Sequence, residues 1–348
     1  MYQYRHFIPQ NTAPVGTQNI GVYDNSGHKV CTIPLGGLTP HRGETLYSFG
    51  LVSDIHIYPI AAVDWHPETK FDVALTCFED RGCVFCTHCG DFTQTGLFLE
   101  GDDTKQDLGQ FEKYKEICKS HTIPVYGICG NHESITGVAI ENHLTELKQY
   151  TGTGLYYTVK QGSDLFLFIG QPTYNKVMGD DALTWLQMTL EENTDKRCFV
   201  FIHSYIEEDS GDAVDYRENS VFDDWGAART NIFMNAMRQH PNVVLFHGHS
   251  HMKFECQQYD ANVNYTERNG FRSVHVPSVG KPRDIELTRG ETPEDMGGSQ
   301  GYIVDVYNDA IVLNGMDFVS GKGVPLGTFK LNMDQGSPPE RLLLSLKP

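Results

Sequence analysis

The sequence predicts an α/β domain that is preceded by a short β leader and followed by a β tail. Two observations support this fold class. Between residues 47 and 246, short apolar runs alternate with segments whose apolar residues recur at helical spacing. From residue 270 onward the patterns are those of strands. Alternating strands and helices indicate a mainly parallel sheet covered by helices, and 39% apolar residues suffice for its core.

Residues 1–46 form the predicted leader. Two apolar stretches, residues 20–23 and 29–33, flank a turn-forming segment that contains Asp24 and Gly27. This arrangement is typical of a β-hairpin. We therefore divide the chain into a leader hairpin at 1–46, expected to pack on the main domain, and a catalytic domain at 47–348 that ends in a β-hairpin.

The main domain is predicted element by element from its periodicity. Strands are expected at residues 47–53, 83–89, 123–129, 165–170, 198–202 and 243–246. Helices are expected at residues 69–79, 105–120, 138–150, 180–192 and 227–239. In the first, second and fourth of these helices the apolar side chains fall on one face, as Leu183, Leu186 and Leu190 do in the fourth. In the tail, residues 302–307 and 310–314 flank Asn308-Asp309, which predicts a hairpin.

The charge balance argues against two classes of partner. The chain has 27 Lys and Arg against 45 Asp and Glu, a formal net charge of −18. Such a chain has no large sequence-independent attraction for nucleic acid or for an anionic membrane. No apolar run reaches the about 18 residues of a membrane span, and the N-terminus lacks a signal-peptide core. Nine cysteines, several in apolar runs, indicate reduced thiols and a cytoplasmic location.

Polar side chains recur at one kind of position, directly after a predicted strand. Ligands of open α/β sheets bind outside the carboxyl ends of the strands, so five strands direct these residues to one crevice. The residues are Asp54, His56, Asp91, Asn131, His132, Glu133, His203, His249 and His251.

These residue types are suited to metal ions. Imidazole nitrogens and carboxylate or carboxamide oxygens are intermediate-to-hard donors, and there are too many for one ion. They fit two ions that share a carboxylate and lie roughly 3.5–4 Å apart. A lone Asp-x-His or Gly-Asp occurs often without a metal, so the prediction depends on the ordered set. The spacing of Cys83, Cys86 and Cys89 resembles a zinc half-site, but core thiols in a strand explain it better.

The order Asp-x-His, Gly-Asp, Gly-Asn-His-Glu, His, Gly-His-x-His resembles the signature of the calcineurin-like metallophosphoesterases. The resemblance spans residues 54–251. It implies a two-sheet β-sandwich flanked by helices and a two-metal-dependent phosphoesterase that uses Mn, Fe, Zn or Ni. One ion would be bound by Asp54, His56, Asp91 and His251. The other would be bound by Asp91, Asn131, His203 and His249, with Asp91 as the bridge.

The same resemblance implies roles for the residues around the ions. His132 would protonate the leaving oxygen or stabilise the charged transition state, and Glu133 would orient His132. A hydroxide bridging the ions would attack a small phosphodiester or phosphomonoester. Asp91, His132 and Glu133 are therefore the predicted catalytic residues.

The sequence lacks residues that are typical of two branches of this family. Ser/Thr protein phosphatases carry an Asp-Arg pair where this chain has Gln94 and Thr95, and an Arg where it has Cys129. Purple acid phosphatases carry a Tyr at the position of Gln94. Neither branch is expected, which leaves a broad bacterial and phage group similar to cyclic-nucleotide phosphodiesterases.

The substrate is expected to be a small phosphorylated molecule. The segment from residue 207 to residue 224 contains eight carboxylates and a single basic residue, Arg217. If this acidic loop lies at the site, it would repel a long polyanion. The alternative is a solvated loop that points away. Lys281, Arg283 and Arg217 are the candidate substrate contacts. Two other functions stay open: a metal-dependent nuclease, and a non-catalytic structural module of the virion type that retains the fold.

Overall fold

The computed structural model describes residues 19–23, 29–34, 43–58, 65–99, 102–106, 108–135, 137–204, 221–258, 263–267, 270–284 and 297–333. Within these ranges, α-helices occur only before residue 240, and only strands and short 3-10 turns follow. The helices are α1 (Pro67–Asp80), α2 (Leu108–Ser120), α3 (Leu144–Thr151), α4 (Asp180–Glu191) and α5 (Val221–Gln239). The first strands are β1 (Asn19–Tyr23), β2 (Lys29–Pro34), β3 (Tyr47–Val52), β4 (Cys86–His88), β5 (Phe98–Leu99), β6 (Asp102–Gln106), β7 (Val125–Gly127), β8 (Tyr156–Gln161) and β9 (Asp164–Ile169). The remaining strands are β10 (Cys198–Phe201), β11 (Val243–His247), β12 (Tyr265–Thr266), β13 (Arg272–His275), β14 (Gln300–Val306), β15 (Ala310–Asp317), β16 (Lys322–Gly323) and β17 (Phe329–Asn332).

The first large sheet has the order β16-β15-β14-β3-β4-β7, and β17 also pairs with β15. Strands β3, β4 and β7 are parallel, whereas β14 to β17 add antiparallel strands. The second sheet has the order β12-β13-β11-β10-β9-β8. Its central strands β9, β10, β11 and β13 are parallel, and the edge strands β8 and β12 are antiparallel. Both sheets are therefore mixed.

Strand alternation explains how the two sheets pack. Successive side chains of a strand point to opposite faces. In β10, Phe199 and Phe201 belong to the core between the sheets, where Phe199 lies 5.7 Å from the ring of Phe49 in β3. Cys198 and Val200 point the other way and pack with the buried faces of α4 and α5. The helices α1, α2 and α3 cover the outer face of the first sheet. The result is the predicted sandwich with helices on both outer faces.

Several predicted elements change their limits. The second predicted helix starts at Leu108 instead of residue 105 because Asp102–Gln106 pairs with Phe98–Leu99. The third is divided into a 3-10 turn, Ile140–Asn142, and α3, because His143 leaves the helical conformation. The sequence interpretation missed β8, an edge strand whose side chains are all at least partly exposed. Such a strand lacks the apolar run by which the buried strands were recognised.

The leader and the tail are described only in part. Strands β1 and β2 pair antiparallel, with Asn19 opposite Pro34. The packing of residues 1–46 on the main domain remains a prediction. In the tail, β14 and β15 form the predicted hairpin, and Tyr307 donates its N–H to Ala310 O at 2.9 Å. No α-helix in the described part of the chain is long and apolar enough to cross a membrane.

Candidate metal centre

The predicted residues meet because five parallel strands end at the same edge of the sandwich. In the first sheet, Asp54 and His56 follow β3, Asp91 follows β4 and Asn131 follows β7. In the second sheet, His203 follows β10, and His249 and His251 follow β11. Backbone hydrogen bonds join the loops within each sheet, since His56 N donates to Asp91 O at 2.8 Å and Gly248 N donates to His203 O at 3.0 Å. The seven side chains form one cluster, of which Asn131 is 3% exposed.

The first donor group contains Asp54, His56, Asp91 and His251, all buried. The Nε2 atoms of His56 and His251 are 3.0 Å apart. His251 Nε2 lies 3.1 Å from Asp54 Oδ1, and His56 Nε2 lies 3.8 Å from Asp91 Oδ2. Four donor atoms on three strand ends thus face a common point.

The second donor group contains Asp91, His203 and His249, with Asn131 beside them. His203 Nε2 is 2.8 Å from Asn131 Oδ1, 3.1 Å from His249 Nδ1 and 3.2 Å from Asp91 Oδ2. The same Asp91 oxygen therefore approaches both groups. A shared carboxylate is the feature that a two-metal site requires.

Backbone carbonyls set the orientation of two imidazoles. His203 Nδ1 donates to Cys89 O at 2.8 Å, and His251 Nδ1 donates to Lys281 O at 3.2 Å. A ring that donates from Nδ1 keeps the lone pair of its neutral form on Nε2, the atom that faces the cluster. Both imidazoles thereby present a lone pair to the cluster, the usual arrangement around protein-bound metals.

The electrostatics of the cluster favour a cation. Asp54 Oδ1 and Asp91 Oδ2 are buried without a hydrogen bond of normal geometry. Burial by itself would lower the pKa of His203, but the negative charges of Asp91 and Asp54 raise that pKa to about 9. The buried carboxylates therefore attract a proton to His203. Buried carboxylates with several inward-facing imidazoles fit divalent metal ions, which would supply the positive charge instead.

Most of the cluster residues have a strained backbone. Asp54, His56, Asp91, His249 and His251 have φ angles between 51° and 71°. Non-glycine residues in this left-handed region cost roughly 1–3 kcal/mol each and persist when the surroundings determine them. His66 is the one other such residue in the described part of the chain. Strain at five candidate donor positions indicates that the fold fixes these side chains in advance.

Two glycines permit the close approach of the loops. A Cβ on Gly130 would lie 2.2 Å from Asp91 Oδ1, and one on Gly248 would lie 2.5 Å from Asp54 Oδ2. Any larger residue would displace a carboxylate of the cluster. The sequence motifs contain these glycines because the backbone passes directly behind the donors.

The predicted orientation of His132 by Glu133 is wrong. Glu133 is fully buried and accepts the N–H groups of Asp91 at 3.1 Å, Thr93 at 2.8 Å and Gly130 at 2.6 Å. Thr93 also donates its hydroxyl to Glu133 at 3.0 Å. Burial raises the pKa of Glu133, whereas the donated hydrogen bonds oppose that rise. Glu133 turns back from its 3-10 turn and joins the Asp91 loop to the Asn131 loop.

His132 is oriented by a residue that the sequence interpretation missed. His132 Nδ1 donates to the backbone carbonyl of Gln94 at 2.7 Å. Its ring lies edge-on to His56, with centroids 4.5 Å apart, and its main-chain N–H donates to Asp91 Oδ1 at 2.8 Å. His132 is only partly buried, like His249, whereas the other six donor residues of the cluster are buried. No sequence signal could identify Gln94, because the contact uses its backbone.

The predicted substrate contacts have different outcomes. Lys281 is 7% exposed, and its Nζ lies 4.7 Å from the ring centroid of Trp65, which stacks 6.4 Å from His56. Arg283 N donates to His251 O at 2.8 Å, so its backbone also adjoins the cluster. Arg217 and most of the acidic stretch lie outside the described residues.

Ser250, between the candidate donors His249 and His251, holds their loop against the neighbouring strand. Its hydroxyl lies 2.7 Å from His275 Nε2 on the neighbouring strand β13. We expect Ser250→Ala to weaken metal binding by about tenfold, since it frees a strained loop that carries His249 and His251. Titration of metal-free protein with Mn²⁺ measures this. Ser273→Ala is the matched control, because that buried serine hydroxyl lies on β13 without a hydrogen bond. If Ser250→Ala and Ser273→Ala bound Mn²⁺ with equal affinity, the contact of Ser250 with His275 would not stabilise the metal centre.

Residues 47–253 match the sequence model of a family described as calcineurin-like phosphoesterase. A search of curated protein sequences found no match.

Solved structures with the same fold include enzymes and a protein described as an anchor. A dimetal phosphatase from Danio rerio superposes with a TM-score of 0.57 at 12% identity, over 83% of this chain and 100% of that chain. A purple acid phosphatase from yellow lupin (Lupinus luteus) has a TM-score of 0.55 at 12% identity, over 91% and 59%. GAP50, the anchor in the inner membrane complex of Plasmodium, has a TM-score of 0.52 at 10% identity, over 83% and 89%. At these identities the likeness establishes the fold alone.

Proposed function

Because this chain belongs to the calcineurin-like phosphoesterase family, we propose that it hydrolyses a phosphate ester with the help of two divalent metal ions. The observation that carries the proposal is the position of Asp91 Oδ2, which approaches both groups of inward-facing donors. A structural carboxylate would be satisfied by hydrogen bonds, whereas this oxygen has none of normal geometry.

Seven side chains would hold the ions. Asp54, His56, Asp91 and His251 would bind one ion. Asp91, Asn131, His203 and His249 would bind the other. This mixture of imidazole and oxygen donors accepts Mn, Fe, Zn or Ni.

The ions, when bound, supply Lewis acidity that activates water and neutralises charge on the phosphate oxygens. Side chains of the protein would supply the proton transfer and the positioning. His132 lies at the exposed side of the cluster, and its Nδ1–H is engaged with Gln94 O. Its Nε2 is therefore the atom that would deliver a proton to the leaving oxygen. Glu133 acts on the loops rather than on His132, so it is a positioning residue.

We further propose that the substrate is a small phosphomonoester or phosphodiester. Lys281 is a buried cation over the Trp65 ring beside His56, and the backbone of Arg283 adjoins His251, which supports both as contacts for an anionic substrate. The net charge of −18 opposes the approach of a long polyanion. The cytoplasmic location and the role of Arg217 are also proposals, supported by the sequence alone.

The test is hydrolysis of p-nitrophenyl phosphate and bis-p-nitrophenyl phosphate by purified protein, with Mn²⁺ or with a chelator. We expect Mn²⁺-dependent turnover. The ester that is hydrolysed faster shows whether the protein prefers phosphomonoesters or phosphodiesters. Stoichiometric metal binding without turnover of any ester would favour a structural module, as the anchor description of GAP50 suggests for that protein. Cleavage of DNA that weakens steeply with salt would instead favour a nuclease.

His132→Ala should separate proton transfer from metal binding. We expect kcat to fall by about 10²-fold or more while the number of bound ions stays the same. The loss should be greater for phenyl phosphate than for p-nitrophenyl phosphate, because the poorer leaving group needs the proton more. Both rates are measured on the Mn²⁺-loaded variant. An equal loss for the two esters would contradict proton donation by His132.

A further inference from the structure

A second concave site lies outside the metal cluster. A cavity of about 240 Å³ opens between α2, the edge strand β7 and the start of β8. Its walls are rich in aromatic rings, from Phe92, Phe111, Tyr114 and Tyr157. None of the seven metal-facing side chains lines it. The substrate site therefore does not account for this cavity.

Two hydroxyl groups of the cavity wall already have partners within the protein. Tyr157 OH donates to Gly127 O at 2.8 Å and accepts Gly127 N–H at 3.0 Å, which satisfies the free edge of β7. Tyr114 OH lies 2.9 Å from His88 Nε2. The interior consequently presents ring faces and apolar side chains such as Leu147 and Leu155. The apolar part of a ligand there would be recognised by stacking and apolar contact.

Charge at the cavity has one sign. Lys115 and Lys119, one turn apart on α2, both line it, and no Asp or Glu among the described side chains does. In a chain with 45 acidic and 27 basic residues, a lining with two cations and no carboxylate departs from the average surface. The ion pair of Lys115 with Glu112, at 3.0 Å, is exposed, so its strength is small. An incoming carboxylate can therefore compete for Lys115.

We propose that this cavity binds a small aromatic carboxylate. Cavities of 150 Å³ hold benzene, so about 240 Å³ suits a two-ring aromatic body. The rings would lie among Phe92, Phe111 and Tyr157, with the carboxylate at Lys115 and Lys119. Lys115 Nζ already lies 5.2 Å from the centroid of Phe111, which places a positive charge beside the aromatic wall.

The experiment measures 2-naphthoate binding to metal-loaded protein by calorimetry, with inorganic phosphate in excess to occupy the metal centre. We expect one saturable site, and at least about tenfold weaker binding of uncharged 2-naphthalenemethanol. The double variant Lys115→Ala/Lys119→Ala should weaken 2-naphthoate binding by a similar factor, because it removes both cations that would pair with the carboxylate. Lys113→Ala is the matched control, as Lys113 lies on the same helix outside the cavity.

A second variant tests the location of the ligand. Cys118 lines the cavity, and Cys118→Trp should fill it and abolish binding. Absence of saturable binding to the wild-type protein would overturn the proposal. So would displacement of 2-naphthoate by phosphate, or an affinity that the double lysine variant leaves unchanged. The lysine variants decide the question even if the tryptophan variant fails to fold.

Discussion

Asp91→Asn should abolish phosphoesterase activity and reduce the number of bound metal ions. Asp91 Oδ2 lies 3.8 Å from His56 Nε2 and 3.2 Å from His203 Nε2, so one atom serves both donor groups. An amide keeps the shape but removes the negative charge that two neighbouring cations need. We expect turnover to fall by at least about 10³-fold, the consequence of losing several kcal/mol of transition-state stabilisation. Ester hydrolysis and elemental analysis of the same sample measure the two effects.

The control is Asp305→Asn, which makes the same chemical change outside the cluster. Asp305 lies on β14 and accepts hydrogen bonds from Ser48 and Asn314. This variant should keep both ions and nearly full turnover. If Asp91→Asn still bound two ions and hydrolysed the ester at the wild-type rate, Asp91 would not be the bridging ligand.

Glu133→Gln should weaken metal binding and destabilise the protein together. Glu133 accepts three backbone N–H groups and one hydroxyl, and a glutamine amide would place its own N–H groups against some of these donors. Leaving a buried donor unsatisfied costs about 1–3 kcal/mol, so we expect a loss of about 3 kcal/mol in unfolding free energy. Denaturant unfolding of the metal-free protein measures the stability, and Mn²⁺ titration measures the affinity.

The same variant distinguishes two roles for Glu133. If Glu133 only oriented His132, Glu133→Gln would lower kcat without changing stability or metal affinity. The contacts of Glu133 instead predict that Glu133→Gln lowers both the stability of the protein and its affinity for metal ions. Thr93→Val is the graded control, because it removes only the hydroxyl donor and should have a smaller effect in the same direction.

The sequence predicted the fold class and the meeting of the donors for one physical reason. Parallel strands end at the same edge of a sheet, so residues that follow successive strands converge even when far apart in the chain. The two sheets stack with these edges side by side, so His203 and Asn131, which follow strands of different sheets and are separated by 72 positions, lie 2.8 Å apart. The alternation of apolar runs and helical stripes could likewise be read locally, as in β10 and α4.

Other features depend on contacts that leave no local pattern. The direction of Glu133 is set by a 3-10 turn and by N–H groups on another loop, so its position next to His132 in sequence was misleading. The partner of His132 is the carbonyl of Gln94, which any residue could supply. The pairing of Ser250 with His275 arises from the parallel register of β11 and β13. The edge strand β8 lacks the apolar run of a buried strand.

The most direct test of a two-metal centre is the stoichiometry of binding. Wild-type protein is stripped with a chelator, dialysed and titrated with Mn²⁺, while bound metal and hydrolysis of p-nitrophenyl phosphate and bis-p-nitrophenyl phosphate are followed together. The arrangement of Asp54, His56 and His251 on one side of Asp91 and of Asn131, His203 and His249 on the other predicts two ions per chain, with full activity only when both are bound. Full activity at one ion per chain, or activity that persists in the stripped protein, would contradict the two-metal account.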